Sequence, residues 1–464
     1  MATPHTLSWR GHLRAVLVLG LPLAGSHLAQ IAIGVTDTAM LGWYGVEPLA
    51  AGFLGASVFM LLMLVGSGFA WAVIPLVASA AVEGDETRLR RVTRMGMWLS
   101  AIYAALVLPL MLWSEVWLLE LGQVPSVAAD TQAYLRIAGW GMFPALLAMV
   151  LKSHLSALEH TRVVLWATLL SALVNAAANW ALIFGNWGAP ELGLQGAAIA
   201  SVLSQLGALG ALAAWAGLAP RLRPHALFVR LWRPDWAGFG QVFRLGWPIG
   251  LTTLAEAGLF FVSASMMGLL GTDMLAAHGI ALELAAVSFM VHVGLSQTAT
   301  VRAGQALGRN DMVGLRRGAI VAAGCSAAFG LLTVSAFLLL PETLIGLFLD
   351  ADDPMAPHIV TIGVTLLAFA ALFQFADAAQ VMALGLLRGI QDTRVPMVLA
   401  ALSYWAVGAP AGYFLGIEAG FGGPGVWSGL VIGLALAAAS LTVRFVYRLR
   451  AIGASHSTYA PSVG

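Results

Sequence analysis

The chain has 464 residues, of which 60% are hydrophobic and only 10% are charged, and its formal net charge is +1. A soluble domain usually carries about a quarter charged residues, so this composition excludes a protein whose main solvent is water. The net charge itself gives no reason to expect a nucleic acid partner. The single cysteine, Cys325, excludes an internal disulfide and a thiolate metal cluster.

Apolar segments of roughly twenty residues recur along the chain, each long enough to cross the hydrocarbon core as a helix. They lie at approximately residues 15–36, 50–80, 95–114, 131–151, 163–185, 196–217, 245–269, 275–300, 317–340, 358–386, 395–416 and 424–446. Glycine and proline inside them, as in Gly20-Leu21-Pro22, are commoner in membrane helices than in soluble ones, so we expect no break there. The sequence therefore predicts an all-α integral membrane protein with twelve transmembrane helices.

Basic residues mark one side of the membrane, because lysine and arginine favour short cytoplasmic loops. They gather before the first span, in 84–94, around Lys152 and Arg162, and in 218–244, 302–317, 388–394 and 444–450. The opposite loops carry mostly acids. The pattern predicts that both termini are cytoplasmic, and because the N-terminus lacks a cleavable signal segment, we expect the first span to be retained.

The two halves of the chain follow one plan. A shift of 226 positions aligns residues 19–91 with 245–317 without a gap, and proline, methionine, aspartate and paired arginines keep the register. Each half has six spans, which makes the repeats parallel. We expect an N-terminal six-helix lobe (1–217), a cytoplasmic linker (218–244) and a C-terminal lobe with a cytoplasmic tail (245–464), pseudo-symmetric around a central cleft. Alternating-access transporters share this plan, although a channel could also be duplicated.

Two acids lie deep in the second half. Along their helices Glu256 is roughly 18 Å from Arg244, and Asp377 is roughly 16 Å from Arg388, so their depths are similar. Without a counter-charge, which neither has within its own helix, such a carboxyl group either keeps a proton or binds a metal cation. Either behaviour suits an ion-coupling site. The alternative is a protonated acid that hydrogen-bonds a neighbouring helix for structural reasons.

The first half differs in charge. The repeat places Gln30 at the position of Glu256, and Asp37 follows two turns later on the same helix face. Asn175 and Asn179, one turn apart on the fifth span, could share hydrogen bonds with Asp37. For this amide pair, packing between helices is an equally open interpretation.

Three further groups are candidates. Glu283 is an acid within the eighth span, where it lines the cleft or sits near the outer surface. Met60 and Met290 could form an adaptable wall for cargo or serve in ordinary packing. His278 and His292 could relay protons, although a single histidine in a helix more often makes one structural hydrogen bond.

Several segments together resemble the multidrug and toxic compound extrusion (MATE) family over essentially the whole chain, and its NorM-like branch in particular. They are the Gly-x-Pro of the first span, Asp37-Thr38-Ala39-Met40-Leu41-Gly42, Leu182-Ile183-Phe184-Gly185 with Gly193-Leu194-Gln195-Gly196-Ala197-Ala198, Val301-Arg302-x-Gly304-Gln305-x-Leu307-Gly308, and Phe375-Ala376-Asp377-Ala378-x-Gln380-Val381. The resemblance implies a twelve-helix antiporter of the bacterial inner membrane that expels organic cations while protons or sodium ions enter. It implies no cofactor and a monomer in the lipid bilayer.

The resemblance also implies roles for single residues. Glu256, Asp377 and Asp37 match cation-coupling acids, and the first two would hold the metal ion if the coupling ion is sodium. Asn175 and Asn179 match polar positions of the N-terminal lobe. Asp352 and Asp353 match a segment that contacts cationic substrate. Glu283 departs from the branch, which usually has asparagine there, and this puts the coupling stoichiometry in doubt.

Two other functions agree less well with these residues than export does. A flippase for a lipid-linked substrate should line its cleft with basic residues for phosphates, whereas these spans contain acids. An intramembrane enzyme should show a His-Glu-x-x-His motif, a metal cluster or a nucleophile with a plausible base, and the sequence has none of these.

Overall fold

The structure, a computed structural model, describes residues 7–350 and 354–458. Twelve of its helices are long and apolar enough to cross a membrane, which confirms the predicted all-α class and number of spans. They are α1 (Trp9–Tyr44), α2 (Val46–Glu83), α3 (Glu86–Leu112), α4 (Pro125–Ala157), α5 (Thr161–Phe184), α6 (Leu194–Leu218), α7 (Trp236–Leu269), α8 (Thr272–Gly308), α9 (Met312–Leu339), α10 (Ala356–Gly389), α11 (Arg394–Glu418) and α12 (Gly422–Ala454).

Prolines do not interrupt the first helix of either half. Helix α1 continues through Pro22 and α7 through Pro248, as the sequence predicts. Two short helices, Ser114–Glu120 and Pro341–Gly346, follow α3 and α9 and were not predicted. Each lies in the same place within its half, so the connectors repeat along with the spans.

Matching helix starts confirm the register of the internal repeat. Helix α2 begins after Gly45 and α8 after Gly271, which are 226 positions apart. The side chain of Asp85 accepts a hydrogen bond from the Arg88 amide at the start of α3, and Asp311 accepts one from the Gly314 amide at the start of α9. An aspartate at this position satisfies an amide that the first helical turn leaves without a partner.

The chain divides into two compact units. Residues 25–250 form one, called here the N-terminal unit, and residues 1–24 with 251–464 form the other, called here the C-terminal unit. Both boundaries lie inside a helix, shortly after Pro22 in α1 and after Pro248 in α7. The lobes expected from the repeat were 1–217 and 245–464. Instead, the first segment of α1 belongs to the C-terminal unit, and the first segment of α7 belongs to the N-terminal unit. The linker packs on α3, where the Leu231 carbonyl accepts a hydrogen bond from the Trp98 indole.

Each unit has its own apolar core. In the C-terminal unit α10 packs against α8 and α12, and its Phe373 ring meets the ring of Trp427 at a centroid distance of 5.6 Å. The N-terminal unit has a separate core that includes Met142 and Leu146 of α4. Helix α10, which carries Asp377, is held in the centre of the C-terminal unit by this packing.

Helices α11 and α12 approach closely along glycines. A β-carbon at Gly429 would overlap the backbone of Gly412, and the carbonyl oxygen of Gly408 is also in its way. Small residues at such a crossing let membrane helices pack backbone to backbone. Along this contact α11 contains two π-helical turns, Leu402–Gly408 and Phe414–Glu418.

We expect Gly429→Ala to destabilise the C-terminal unit by about 1–3 kcal/mol, because the added methyl group must push α11 away from α12. The thermal unfolding midpoint of the purified protein measures this loss. Gly324→Ala on α9 is the matched control, since a β-carbon there meets nothing within 4 Å. An equal midpoint for the two variants would show that the helices do not depend on this close approach.

Candidate cation site

The two deep acids of the C-terminal unit are joined through a glutamine. Gln380 lies one turn after Asp377 on α10, and its side-chain Nε2 donates a hydrogen bond to Oε1 of Glu256 on α7 at 2.5 Å. The hydroxyl of Tyr404, from the first π-helical turn of α11, donates to Oε1 of the same Gln380. Three helices therefore converge on one amide, and this cluster of Glu256, Asp377, Gln380 and Tyr404 is called here the C-unit site.

Most of the C-unit site is sealed from bulk solvent. Asp377 is 1% exposed, and Gln380 and Tyr404 are completely buried, whereas Glu256 is half-buried. The Oδ1 atom of Asp377 has no hydrogen-bond partner among the residues that the structure describes. A buried carboxyl oxygen without a partner is costly. It is therefore a position where a proton or a cation would be favourably received.

A basic residue of α10 interacts electrostatically with Glu256 of α7. This residue is Arg388, a little over two turns beyond Gln380 on α10. The sequence excluded a basic neighbour of Glu256 only within its own helix, so a counter-charge contributed by another helix was not predicted. Asp377 also interacts electrostatically with Glu256. The charges of the site are two acids and one guanidinium, so an added cation would act on a cluster that is already partly balanced.

Oxygen atoms dominate what the C-unit site offers to a ligand. Its carboxyl, amide and phenol oxygens suit a proton or a hard cation such as sodium, which prefers such donors over nitrogen or sulfur. Within residues 7–350 and 354–454, no three His, Cys, Asp or Glu side chains gather as a group that could hold a metal ion.

The N-terminal unit has a second acid site built on α1, α5 and α6. Asp37 Oδ1 accepts hydrogen bonds from the side-chain amides of Asn175 at 2.9 Å and Asn179 at 2.5 Å, and Oδ2 accepts one from the Ser201 hydroxyl at 3.3 Å. The hydrogen bonds expected between the asparagine pair and Asp37 are therefore present. Both asparagines are completely buried, so Asp37 satisfies amide groups that would be costly to leave unpaired, and Asn179 donates in addition to Asn175 Oδ1 at 3.2 Å.

A pair of Asp37 variants can separate charge from hydrogen bonding. Asp37→Asn keeps an oxygen for both asparagines and can turn its amide towards Ser201, so we expect normal stability but roughly tenfold slower export, since about 1.4 kcal/mol corresponds to tenfold. Asp37→Ala removes the acceptor of the Asn175 amide and one of the two acceptors of the Asn179 amide, which also donates to Asn175 Oδ1 at 3.2 Å, and should cost about 1–3 kcal/mol. Vesicle efflux and the thermal midpoint measure the two effects. Unchanged export by Asp37→Asn would make the carboxylate a structural acceptor only.

The remaining sequence candidates are dispersed. Gln30 is exposed, and its Oε1 accepts a hydrogen bond from Lys152 at 3.4 Å, a contact that the cytoplasmic assignment of Lys152 did not predict. Glu283 and Met60 are exposed, and Met290 is half-buried. Asp352 and Asp353 lie outside the described residues. The structure brings none of these residues into hydrogen-bond contact with the C-unit site within the part of the chain that it describes.

The two candidate histidines, His278 and His292, pack against aromatic side chains. His292 Nδ1 is 2.8 Å from the Ser326 hydroxyl, and its ring stands edge-on to Phe329. His278 packs edge-on against Trp427 and is 1% exposed. Neither side chain makes a described contact with an acid, so both fit the packing interpretation better than a proton relay.

Sequence reasoning missed three members of these sites. Gln380 stands three residues after Asp377, so the helical spacing could have placed it on the same face. Ser201 and Tyr404 could not be singled out, because hydroxyl groups are common in membrane helices and most of them have no special role. Their positions depend on how helices rotate against each other, which hydropathy does not report.

Comparisons with known proteins agree with this architecture. The MatE family matches residues 22–181 and 248–414 of the chain. The probable multidrug resistance protein NorM of Rhizobium meliloti (strain 1021) is 45% identical over 448 residues, covering 97% of this chain and 96% of that protein. The protein of the same description from Agrobacterium fabrum (strain C58) is 43% identical over 439 residues, covering 95% of this chain and 94% of its own.

Solved structures share the fold. One, described as the outward-facing conformation of a multidrug resistance MATE family transporter of the MOP superfamily, superposes with a TM-score of 0.87 at 20% identity, covering 98% of this chain and 99% of that one. A MOP superfamily transporter from Pyrococcus furiosus has a TM-score of 0.85 at the same identity and covers 98% of this chain and 99% of its own. Since the family matches in both repeats and relatives align over almost the whole length, the chain belongs to the multidrug and toxic compound extrusion family, a family of membrane transporters rather than enzymes.

Proposed function

We propose that this transporter exports cationic and amphipathic compounds by alternating access and that protons or sodium ions enter in exchange. The observation that carries the proposal is the C-unit site, in which Gln380, one turn from Asp377 on α10, donates a hydrogen bond to Glu256 of α7. Relatives described as probable multidrug resistance proteins are 45% and 43% identical to the chain, which favours a broad range of drug-like cargo.

The C-unit site would hold the coupling ion. A proton on Asp377 or Glu256, or a sodium ion between their oxygens, would remove negative charge from a setting that is costly for unbalanced charge. Gln380 keeps Glu256 oriented through its amide while Tyr404 fixes the amide itself. In this proposal Arg388 limits how strongly the site attracts the ion, so that binding remains weak enough for release.

Exchange requires that ion and cargo prefer different states of the protein. A ligand shifts a conformational equilibrium only by its difference in affinity for the two states. We propose that ion binding and cationic cargo compete for the same negative charge, so that the loss of one accompanies the arrival of the other. Asp37 would add a second acid in the N-terminal unit, and Asn175 and Asn179 would keep it in place.

The cargo contacts are a further part of the proposal. Met60 is exposed and flexible, and Met290 is half-buried, so either side chain could adapt to cargo of different shapes. Asp352, Asp353 and Glu283 would add negative charge that attracts cationic compounds. We place the transporter in a bacterial inner membrane as a monomer with both termini in the cytoplasm, in accord with its arginine distribution.

Reconstituted vesicles can test the exchange. The purified protein is placed in vesicles loaded with a fluorescent organic cation, and a pH gradient or a sodium gradient is imposed separately. We expect one gradient to drive the dye across the membrane and to be dissipated as it does so. Protein-free vesicles and vesicles without a gradient are the controls.

The outcomes identify the coupling ion and distinguish coupled exchange from passive conduction. Transport under only the pH gradient identifies protons as the coupling ion, and transport under only the sodium gradient identifies sodium. Dye movement that ignores both gradients would contradict coupled exchange. Dye movement down its own gradient at channel-like rates would favour the duplicated-channel interpretation instead.

A further inference from the structure

A second polar pocket lies in the C-terminal unit, away from the acids that the proposed exchange uses. It forms where the start of α1 meets the end of α8 and the start of α9, and it opens to solvent. Its polar lining consists of His12, Arg302, Gln305, Arg309 and Asp311. These residues are called here the basic pocket.

His12 is the unusual member of the basic pocket. Its side chain is 3% exposed, yet neither ring nitrogen has a hydrogen-bond partner among the residues that the structure describes. Gly318 of α9 stands beside the ring, where a β-carbon would lie 3.5 Å from Nδ1. Buried ring nitrogens are normally paired. A ligand with oxygen atoms in the pocket would give His12 the partner that the protein does not.

Charge in the basic pocket is predominantly positive. Arg302 and Arg309 line it, and Arg317 interacts electrostatically with His12 from α9. Arg302 also donates a hydrogen bond to Gln305 at 3.0 Å. Asp311 is the acid of the pocket, and its Oδ1 accepts a hydrogen bond from the Gly314 amide at 2.7 Å. The arginines therefore exceed the acid, and the acid is engaged in capping α9.

Surrounding residues indicate the level of the pocket in the membrane. Trp9, at the first residue of α1, is half exposed, and the Arg317 guanidinium lies 5.7 Å from its ring centroid. Exposed tryptophan and arginine at a helix end are typical of the interface where lipid headgroups lie. Further along, Leu13 and Leu17 of α1 and Ile320 of α9 are exposed apolar side chains. The pocket thus adjoins a surface that suits acyl chains.

We propose that the basic pocket binds a phosphate-type oxyanion, supplied by an anionic phospholipid headgroup or by free phosphate. Arginine presents a planar fork of donors that matches phosphate oxygens, and its charge is independent of pH in the physiological range. Basic pockets between membrane helices on the cytoplasmic side are suited to lipid phosphates. Bound phosphate would join α1, α8 and α9 at their cytoplasmic ends and so stabilise the C-terminal unit.

Ligand-dependent thermal stability tests the proposal. The full-length protein is delipidated in an uncharged detergent, and its unfolding midpoint is measured with millimolar inorganic phosphate against chloride of equal ionic strength. A second arm compares phosphatidylglycerol with an uncharged diacylglycerol. We expect phosphate or phosphatidylglycerol to raise the midpoint by about 2 °C or more, because binding to the folded state alone stabilises it.

Variants assign the effect to the pocket. Arg309→Gln and His12→Leu should abolish the rise, whereas Arg316→Gln, an exposed arginine of α9 outside the pocket, should retain it. Arg309 is itself exposed, so its variant should fold even if His12→Leu does not. A rise with the phospholipid but not with inorganic phosphate identifies a lipid ligand, and the reverse identifies a free anion. An equal rise with chloride, or an undiminished rise in Arg309→Gln, would overturn the proposal.

Discussion

Replacing both acids of the C-unit site, by Glu256→Gln together with Asp377→Asn, should reduce ion-driven export at least about 100-fold, equivalent to about 3 kcal/mol. The amides preserve the shapes of the side chains, and Oε1 of the new glutamine can still accept the Gln380 hydrogen bond. What disappears is the negative charge. Without this charge the site should bind neither a proton nor a sodium ion, so an imposed ion gradient should no longer drive export.

Efflux from reconstituted vesicles measures the loss, and the unfolding midpoint shows whether the variant is intact. The midpoint matters because Arg388 interacts electrostatically with Glu256 and loses that interaction in the variant. Glu342→Gln is the matched control: it removes one carboxylate from the same unit at an exposed position on a short helix. Full ion-driven efflux by the doubly substituted protein would refute the role of the acids.

Much of the fold could be predicted because membrane helices follow simple length and hydropathy rules. The prediction that proline does not break the spans is confirmed, since α1 and α7 continue through Pro22 and Pro248. The repeat was visible because Asp85 and Asp311 cap equivalent helices. The π-helical turns of α11 could not be predicted, because hydropathy is insensitive to the pattern of backbone hydrogen bonds that defines them.

The site could be predicted only in part. Glu256 and Asp377 stand out because a carboxyl group within an apolar run needs a physical reason. The spacing of Asn175 and Asn179 on one face of α5 suggested a common partner, and Asp37 of α1 was the candidate. Tyr404 could not be found in this way, since its contact with α10 depends on the rotation and tilt of α11. For the same reason the electrostatic interaction of Arg388 with Glu256 could not be predicted, since the loop pattern only placed Arg388 on the cytoplasmic side.

Gln380→Met should strongly slow export and also destabilise the protein, because it removes the amide of α10 that hydrogen-bonds both Glu256 of α7 and Tyr404 of α11. Methionine has a similar length but donates no hydrogen bond to Glu256 and is only a weak acceptor for Tyr404. Each buried group that loses its partner costs about 1–3 kcal/mol, and a charged one costs more. We therefore expect a clearly lower unfolding midpoint together with roughly 10- to 100-fold slower efflux.

A double-substitution cycle separates the two contacts. Adding Tyr404→Phe to Gln380→Met removes the orphaned hydroxyl, so part of the lost stability should return, by about 0.5–3 kcal/mol of coupling. Efflux should not return, because Glu256 still lacks its donor. Gln374→Met is the control, since Gln374 is equally buried on α10 but, among the described residues, donates to the Ala285 carbonyl at 3.3 Å and to no side chain. If Gln374→Met and Gln380→Met impaired efflux equally, the effect would belong to burial of an amide in α10, and the bridge between the acids would have no special part in exchange.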